Sequence, residues 1–427
     1  MEVPITGLIA ILLLFLALFI GHKALLVYAV FFMPFSAVAV INFTASENTI
    51  SYPLFFSLAY LISFLIIKLR VVNVINYKFS LFGMFFILYL IVSNLFVPYV
   101  DPSNYYVNEF SYFQVVYLVI GVLLTISIGL DVYKYGFYKA ILTTIAWSML
   151  VVSLIGEYQF LSFTFDLYYP SEVFNNSVNP NAQGYTAVLE NGMKRISSVS
   201  TEPSIFTQWL VVCFSLFIFM KIYGYKLGLF TNIVLINSFI VLMLSTSASA
   251  YLGLVSMALI SVGLYVYKSR SVLLLGIVLF LTLFLVSALA PFIFDLLVVK
   301  LESYSFIERF GSVAFGWEQF IESPLFGMGW GVVTVHSLLV GLLANSGIIG
   351  FMMFLYWTLR EMVASIRFSK EKLVLLRAQS VLLSILVMMF LQVVTGFVYT
   401  YSFFWIILGV LVGENLLAKS YRVQTIK

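Results

Sequence analysis

The chain is poor in charge and in reactive side chains. Only 9% of its 427 residues are charged, and it has one cysteine, two histidines and four aspartates. Each shortage excludes something. Cys213 alone cannot form an intramolecular disulfide, and within an apolar run it reads as a small packed hydrophobe. The aspartates Asp101, Asp131, Asp166 and Asp295 form no Asp-x-Asp pair, so metal-dependent use of a nucleotide sugar has no ligand set. There is no Walker loop, no GxGxxG and no Cys/His metal spacing, so ATP hydrolysis, dinucleotide redox chemistry and zinc catalysis lack their parts. No metal site and no cofactor are expected. The spans between residues 204 and 294 are almost free of ionisable groups, and no two halves repeat, which argues against an ion-coupled transporter.

What is abundant is apolar surface. With 63% hydrophobic residues and a mean hydropathy of +1.09, no water-soluble core could hide this composition, so the chain belongs in a bilayer. Apolar runs near 5–20, 24–41, 52–67, 79–97, 113–130, 140–155, 204–220, 227–244, 251–267, 272–294, 337–359, 381–397 and 403–417 approach the roughly 20 residues that cross about 30 Å of hydrocarbon. The expected fold is an all-α polytopic integral membrane protein with about 12–14 spanning helices, residues 1–427 forming one transmembrane domain. The first pair of runs could instead form one hairpin or a re-entrant segment. The first run lacks a basic n-region and reads as a retained helix. Basic residues gather on one side, among them Lys23, Lys68, Arg70, Lys134, Lys221, Lys268, Arg360 and Arg377. Only Lys194, Arg195, Lys300 and Arg309 fall on the other, so by the positive-inside rule the first side is cytoplasmic.

Two long loops are expected on the opposite side, at 157–203 and 298–336, where short connections are the rule. The first holds Tyr158, Phe160, Phe163, Phe165, Tyr168, Tyr169 and Phe174, too many aromatics for a solvated tail; such rings suit either sugar C–H faces or headgroup anchoring. In the second, Phe306, Phe310, Val313, Trp317, Phe320 and Ile321 share one helical face and Glu308, Ser312, Gln319 and Glu322 the other. This amphipathic helix should lie flat on the outer leaflet or on the bundle, with Arg309 in its first turn. Pro324 stops it, and Gly327-Met-Gly329-Trp330-Gly331 allows a turn with close backbone approach.

Arg309 is either a snorkelling arginine or a clamp on a diphosphate, for which a planar guanidinium is well shaped. Lys194-Arg195 precedes Glu202-Pro203-Ser204, which is either a helix start with proline in its first turn or a carboxylate that pairs with Arg195 and orients it. His336 is either a hydrogen-bonded structural residue or a proton carrier beside the outer cations. His22 lies at the basic rim and reads as incidental.

The pattern Arg-x-Gly-x(5)-Trp-Glu-x-Phe-x-x-Ser-Pro-Leu-Phe-Gly-x-Gly-Trp-Gly, then His336, then Asn345-Ser-Gly347-x-x-Gly350, resembles the O-antigen polymerase and O-antigen ligase superfamily. Arg195 with Glu202-Pro203-Ser204 resembles the matching feature of that superfamily's first long loop. The resemblance implies a GT-C-like, metal-independent glycosyltransferase in the bacterial inner membrane, acting at its periplasmic face on a glycan carried by undecaprenyl diphosphate. It implies Arg195, Arg309 and His336 as catalytic residues, with Lys194, Glu202, Lys300, Trp317 and Trp330 binding substrate. Implied partners are the lipid-linked oligosaccharide, the bilayer and a chain-length-determinant protein; no nucleic acid is expected. Ligase-like members carry a Ser-Arg-Gly-Ala type sequence at the outer end of a middle span. Here Ser245-Thr-Ser-Ala248-Ser249-Ala250 has alanine at the arginine's place, which favours a polymerase over a ligase acting on lipid A core. A non-enzymatic carrier of the same lipid-linked sugars is the remaining alternative.

Overall fold

The computed structural model describes residues 1–68, 78–96, 100–101, 104–107, 111–179, 194–269, 304–367, 372–396 and 402–424. Among the described residues the chain is helical almost throughout. Its helices are α1 (Ile5–Ile20), α2 (His22–Phe31), α3 (Tyr52–Lys68), α4 (Lys78–Ser93), α5 (Ser111–Tyr135), α6 (Tyr138–Thr164), α7 (Ser171–Phe174), α8 (Pro203–Ile222), α9 (Leu229–Leu244), α10 (Ala248–Ser269), α11 (Tyr304–Glu322), α12 (Leu338–Arg367), α13 (Lys372–Thr395) and α14 (Ser402–Gln424). Among the described residues seven of these, α5, α6, α8, α10, α12, α13 and α14, are long and apolar enough to cross a membrane, and α1 to α4 and α9 supply shorter apolar segments. The all-α, membrane-type architecture is thus present; the expected span at 272–294 lies outside the described residues.

A seam of small residues holds the centre together. A Cβ on Gly121 would stand 2.3 Å from the Trp405 indole nitrogen, and one on Gly413 2.5 Å from Val132 Cβ, so α5 and α14 approach closely only because these positions lack side chains. At the basic end a buried pair ties three helices: His22 Nε2 lies 2.7 Å from Asp131 Oδ2 and its Nδ1 3.0 Å from Ser63 Oγ, while the Tyr60 hydroxyl donates to Asp131 at 2.8 Å. His22 is therefore a structural anchor, not an incidental rim residue.

Three expectations need correction. The run at 24–41 is not one span: α2 ends at Phe31, and residues 39–43 form β1 (Ala39–Phe43), antiparallel to β2 (Asn48–Ser51). Pro34, without an N–H, follows the helix, and irregular backbone survives here because it is buried and bonded. Ser200 Oγ donates to Pro34 O at 2.7 Å, Ala37 N to Val199 O at 3.0 Å, and Ser177 N to Ala37 O at 3.1 Å. The first long loop begins later than expected, since α6 continues to Thr164. Arg309 falls in the second turn of α11, not the first.

Candidate functional site

The glycine turn predicted after Pro324 closes onto a break in α12. Gly347 has φ 63° and ψ −175°, which interrupts that helix and frees backbone groups. The turn satisfies them: Met328 N donates to Ala344 O at 2.8 Å and Ile348 N to Pro324 O at 2.8 Å. Asn345 completes the lock, its Oδ1 accepting from Val333 N at 2.9 Å and its Nδ2 donating to Val333 O at 2.9 Å and Gly341 O at 2.8 Å. Trp330 is buried, its backbone N donating to Asn94 Oδ1 and its indole to Gln114 O at 3.2 Å. These residues fix the segment that presents His336.

α11 stands over that segment. The middle of its polar face is turned inward: Ser312 and Gln319 are buried and Glu322 is exposed, while Phe310, Trp317 and Ile321 are 67%, 48% and 62% exposed. Gly316 permits the close approach, since a Cβ there would stand 2.7 Å from Val335. Ser312 meets His336 twice, accepting from the His336 backbone N at 3.1 Å and lying 3.1 Å from Nδ1, and its own hydroxyl donates to Arg309 O at 2.8 Å. With the Ser312 proton spent on that carbonyl, Nδ1 is the protonated nitrogen, and Nε2 keeps its lone pair as an acceptor. Burial first, then the positive charge of Arg309, holds the His336 imidazole below its ordinary pKa, with Glu308 and Glu202 opposing.

The first loop brings Arg195 into the same field. Gln159, buried in α6, accepts from Ser197 N at 2.9 Å and Ser198 N at 2.7 Å, and Ser198 Oγ donates to Val152 O at 2.8 Å. This pins the strip that follows Arg195 into the bundle. Arg195 itself is half-buried, and its Nε has no hydrogen-bond partner among the described residues. Burial and then the neighbouring charge of Arg309 hold its guanidinium below the usual value, with Glu202 opposing. Arg195, Arg309, His336 and Glu202 therefore share one electrostatic neighbourhood, built from two separate loops.

The other expected residues divide. Glu202 caps α8 with Pro203 behind it, and its Oε2 accepts from Ser204 Oγ at 2.9 Å; it forms no direct ion pair with Arg195. The helix-start reading holds, and the charge of Glu202 opposes the lowering of Arg195. Lys194 is exposed, with Nζ 4.8 Å from the Phe163 ring centre. Trp317 lies on the outward face of α11 beside Phe320, and Trp330 is enclosed. Lys300 lies outside the described residues. Sequence reasoning missed Ser312 and Gln159, which touch the histidine and the strip beyond Arg195. Gln159 falls in the stretch expected as a loop and offers no signal there, whereas α6 runs on to Thr164. Among the described residues no three His, Cys, Asp or Glu side chains converge as metal ligands.

Compared with known protein families and with curated proteins, the chain matches none.

Proposed function

We propose that the chain is a surface-polysaccharide polymerase, which transfers a growing glycan from undecaprenyl diphosphate to a hydroxyl of an incoming lipid-linked repeat unit at the periplasmic face of the inner membrane. One observation carries the reading. The Arg195 guanidinium, its Nε buried without a hydrogen-bond partner among the described residues, is held below its usual value first by burial and then by the charge of Arg309, beside a histidine whose Nε2 is left basic. Such a cluster is unfavourable alone and becomes favourable around a dianionic group.

In that reaction the acceptor hydroxyl oxygen attacks the anomeric carbon and the carbon–oxygen bond to the diphosphate breaks. The bonding pair leaves on the diphosphate oxygen, where Arg195 and Arg309 stabilise the developing charge, and the hydroxyl proton passes to His336 Nε2. The depressed His336 keeps that nitrogen free at neutral pH. The outward apolar stripe of α11, Phe310, Trp317 and Ile321, suits contact with lipid chains beside the leaving group. The stretch where ligase-like sequences carry an arginine supplies no cation: Ser247 there accepts from Thr207 Oγ1 at 3.1 Å, and Ala248 opens α10. That favours polymerase over ligase.

The test is complementation of a polymerase-null host, read as chain-length ladders of surface polysaccharide. Wild type should restore the ladder, and Arg309→Ala and His336→Ala should each lose it, a positioned charge being worth about 10²–10³ in rate. Full ladders from both variants would overturn the catalytic assignment. Rescue of a ligase-null host would replace the polymerase by the ligase, and wild-type activity without transfer chemistry would leave the carrier.

A further inference from the structure

A cavity of about 250 Å³ lies between α3, α5, α14 and the β1–β2 hairpin, and Thr201 and Glu202 belong to its wall. Nothing in the proposed transfer chemistry uses it. That is room for several waters, enough for a sugar ring. Eleven of its seventeen lining residues carry a hydroxyl, an amide or a carboxylate, an unusual density for the interior of so apolar a chain.

Two of those hydroxyls are telling. Ser57 is fully buried in α3, and Ser402 opens α14; the Oγ atoms of both are buried without a hydrogen-bond partner among the described residues. A serine in a helix ordinarily returns its proton to a carbonyl one turn back, as Ser346 does to Leu342 at 2.7 Å. Ser57 in mid-helix does not, and buried polar atoms without partners are expensive unless something meets them.

The chemistry of the lining selects the occupant. Glu202 is its one charged residue among those described, so a phosphate or diphosphate would meet a negative charge and no cation. A bare metal ion would need several oxygens converging at about 2.3–2.6 Å, and a space this large does not enclose one. Leu54, Ile120, Tyr117 and Trp405 add apolar and ring surface between the hydroxyls. Alternating hydroxyl contacts and apolar faces match a neutral sugar ring, with its equatorial hydroxyls and its C–H faces.

We infer that this cavity is a binding site for a neutral saccharide unit, with Ser57 and Ser402 donating to ring hydroxyls and Glu202 accepting from one. Glu202 also acts on Arg195 and His336, so the cavity adjoins the proposed transfer centre, and under that reading it holds a sugar of the acceptor repeat unit. The assignment of the sugar to the acceptor rests on the proposed function; the binding itself does not.

The experiment uses the purified full-length protein in nanodiscs with the methyl glycosides of glucose, galactose, mannose, rhamnose and N-acetylglucosamine as probes. Binding is followed by tryptophan fluorescence and by thermal unfolding. At least one glycoside should bind saturably, the Ser57→Ala/Ser402→Ala double variant should raise its Kd about tenfold, and Leu54→Trp, which fills the space, should abolish binding. The serine pair removes only two hydroxyls, so it keeps the test valid if Leu54→Trp fails to fold. The inference is overturned if no glycoside binds, or if wild type and the serine variant bind alike. No lipid diphosphate enters the assay. Glycoside binding with full ladders from Arg309→Ala and His336→Ala would therefore sink the transfer reading and leave the cavity, while absent binding with lost ladders would do the reverse.

Discussion

At the scale of single residues, the account turns on the protonation of one imidazole. Ser312 receives both the His336 backbone N–H and its Nδ1 side, so the basic nitrogen is Nε2. The pH dependence follows. His336 lies below its ordinary value because burial and Arg309 disfavour the imidazolium, and Glu308 partly restores it. A base works when unprotonated, so activity should fall only on the acid side, at a pH below the usual histidine range. Glu308→Gln removes a group that favours the charged form, which lowers the His336 pKa further and should move the acid limb to lower pH. A pH–rate profile checks it; an unmoved limb, or one moved upward, would mean that another group titrates. Arg309, Arg195 and His336 were legible from their scarcity, because an apolar chain has few reasons to keep cations away from its basic side. Ser312 was not, since nothing in a one-dimensional pattern says which residue of a helix will touch a histidine 24 positions later.

At the scale of elements, the glycine turn and the broken α12 form one device. Gly347 occupies a backbone region that only glycine holds without strain, and a Cβ there would stand 2.2 Å from Leu325 O. Gly347→Ala should therefore cost about 1–3 kcal/mol in strain alone and displace the turn that presents His336. Thermal unfolding in detergent should show the lowered stability, and the ladder assay the lost activity. An unchanged melting profile with full ladders would mean that the break in α12 is incidental. The turn itself was readable from Pro324 and the three glycines, but its partner was not, because the bonds run between segments. α11 shows the opposite limit. Its two faces could be assigned from spacing, but their direction could not. In water an apolar face turns inward; in a bilayer lipid is as apolar as the core, and here Ser312 and Gln319 are the inward residues.

At the scale of the whole molecule, hydropathy located most helices because each must satisfy its own backbone in lipid. It failed at residues 32–43, where an apolar run continues past Pro34 as a buried irregular strip and a strand. Apolar composition alone does not separate a helix from buried backbone whose partners come from loops far along the chain. That strip matters, because it supports the first loop on the same end of the bundle as the second. The central claim is that the two loops meet on one diphosphate. Binding of undecaprenyl diphosphate to the protein in nanodiscs, measured for wild type, Arg195→Ala, Arg309→Ala and the double variant, tests it most directly. The account predicts that each single change weakens binding and that the double costs less than the two singles added, as for groups that hold one ligand together. Equal affinity for all four proteins would contradict it.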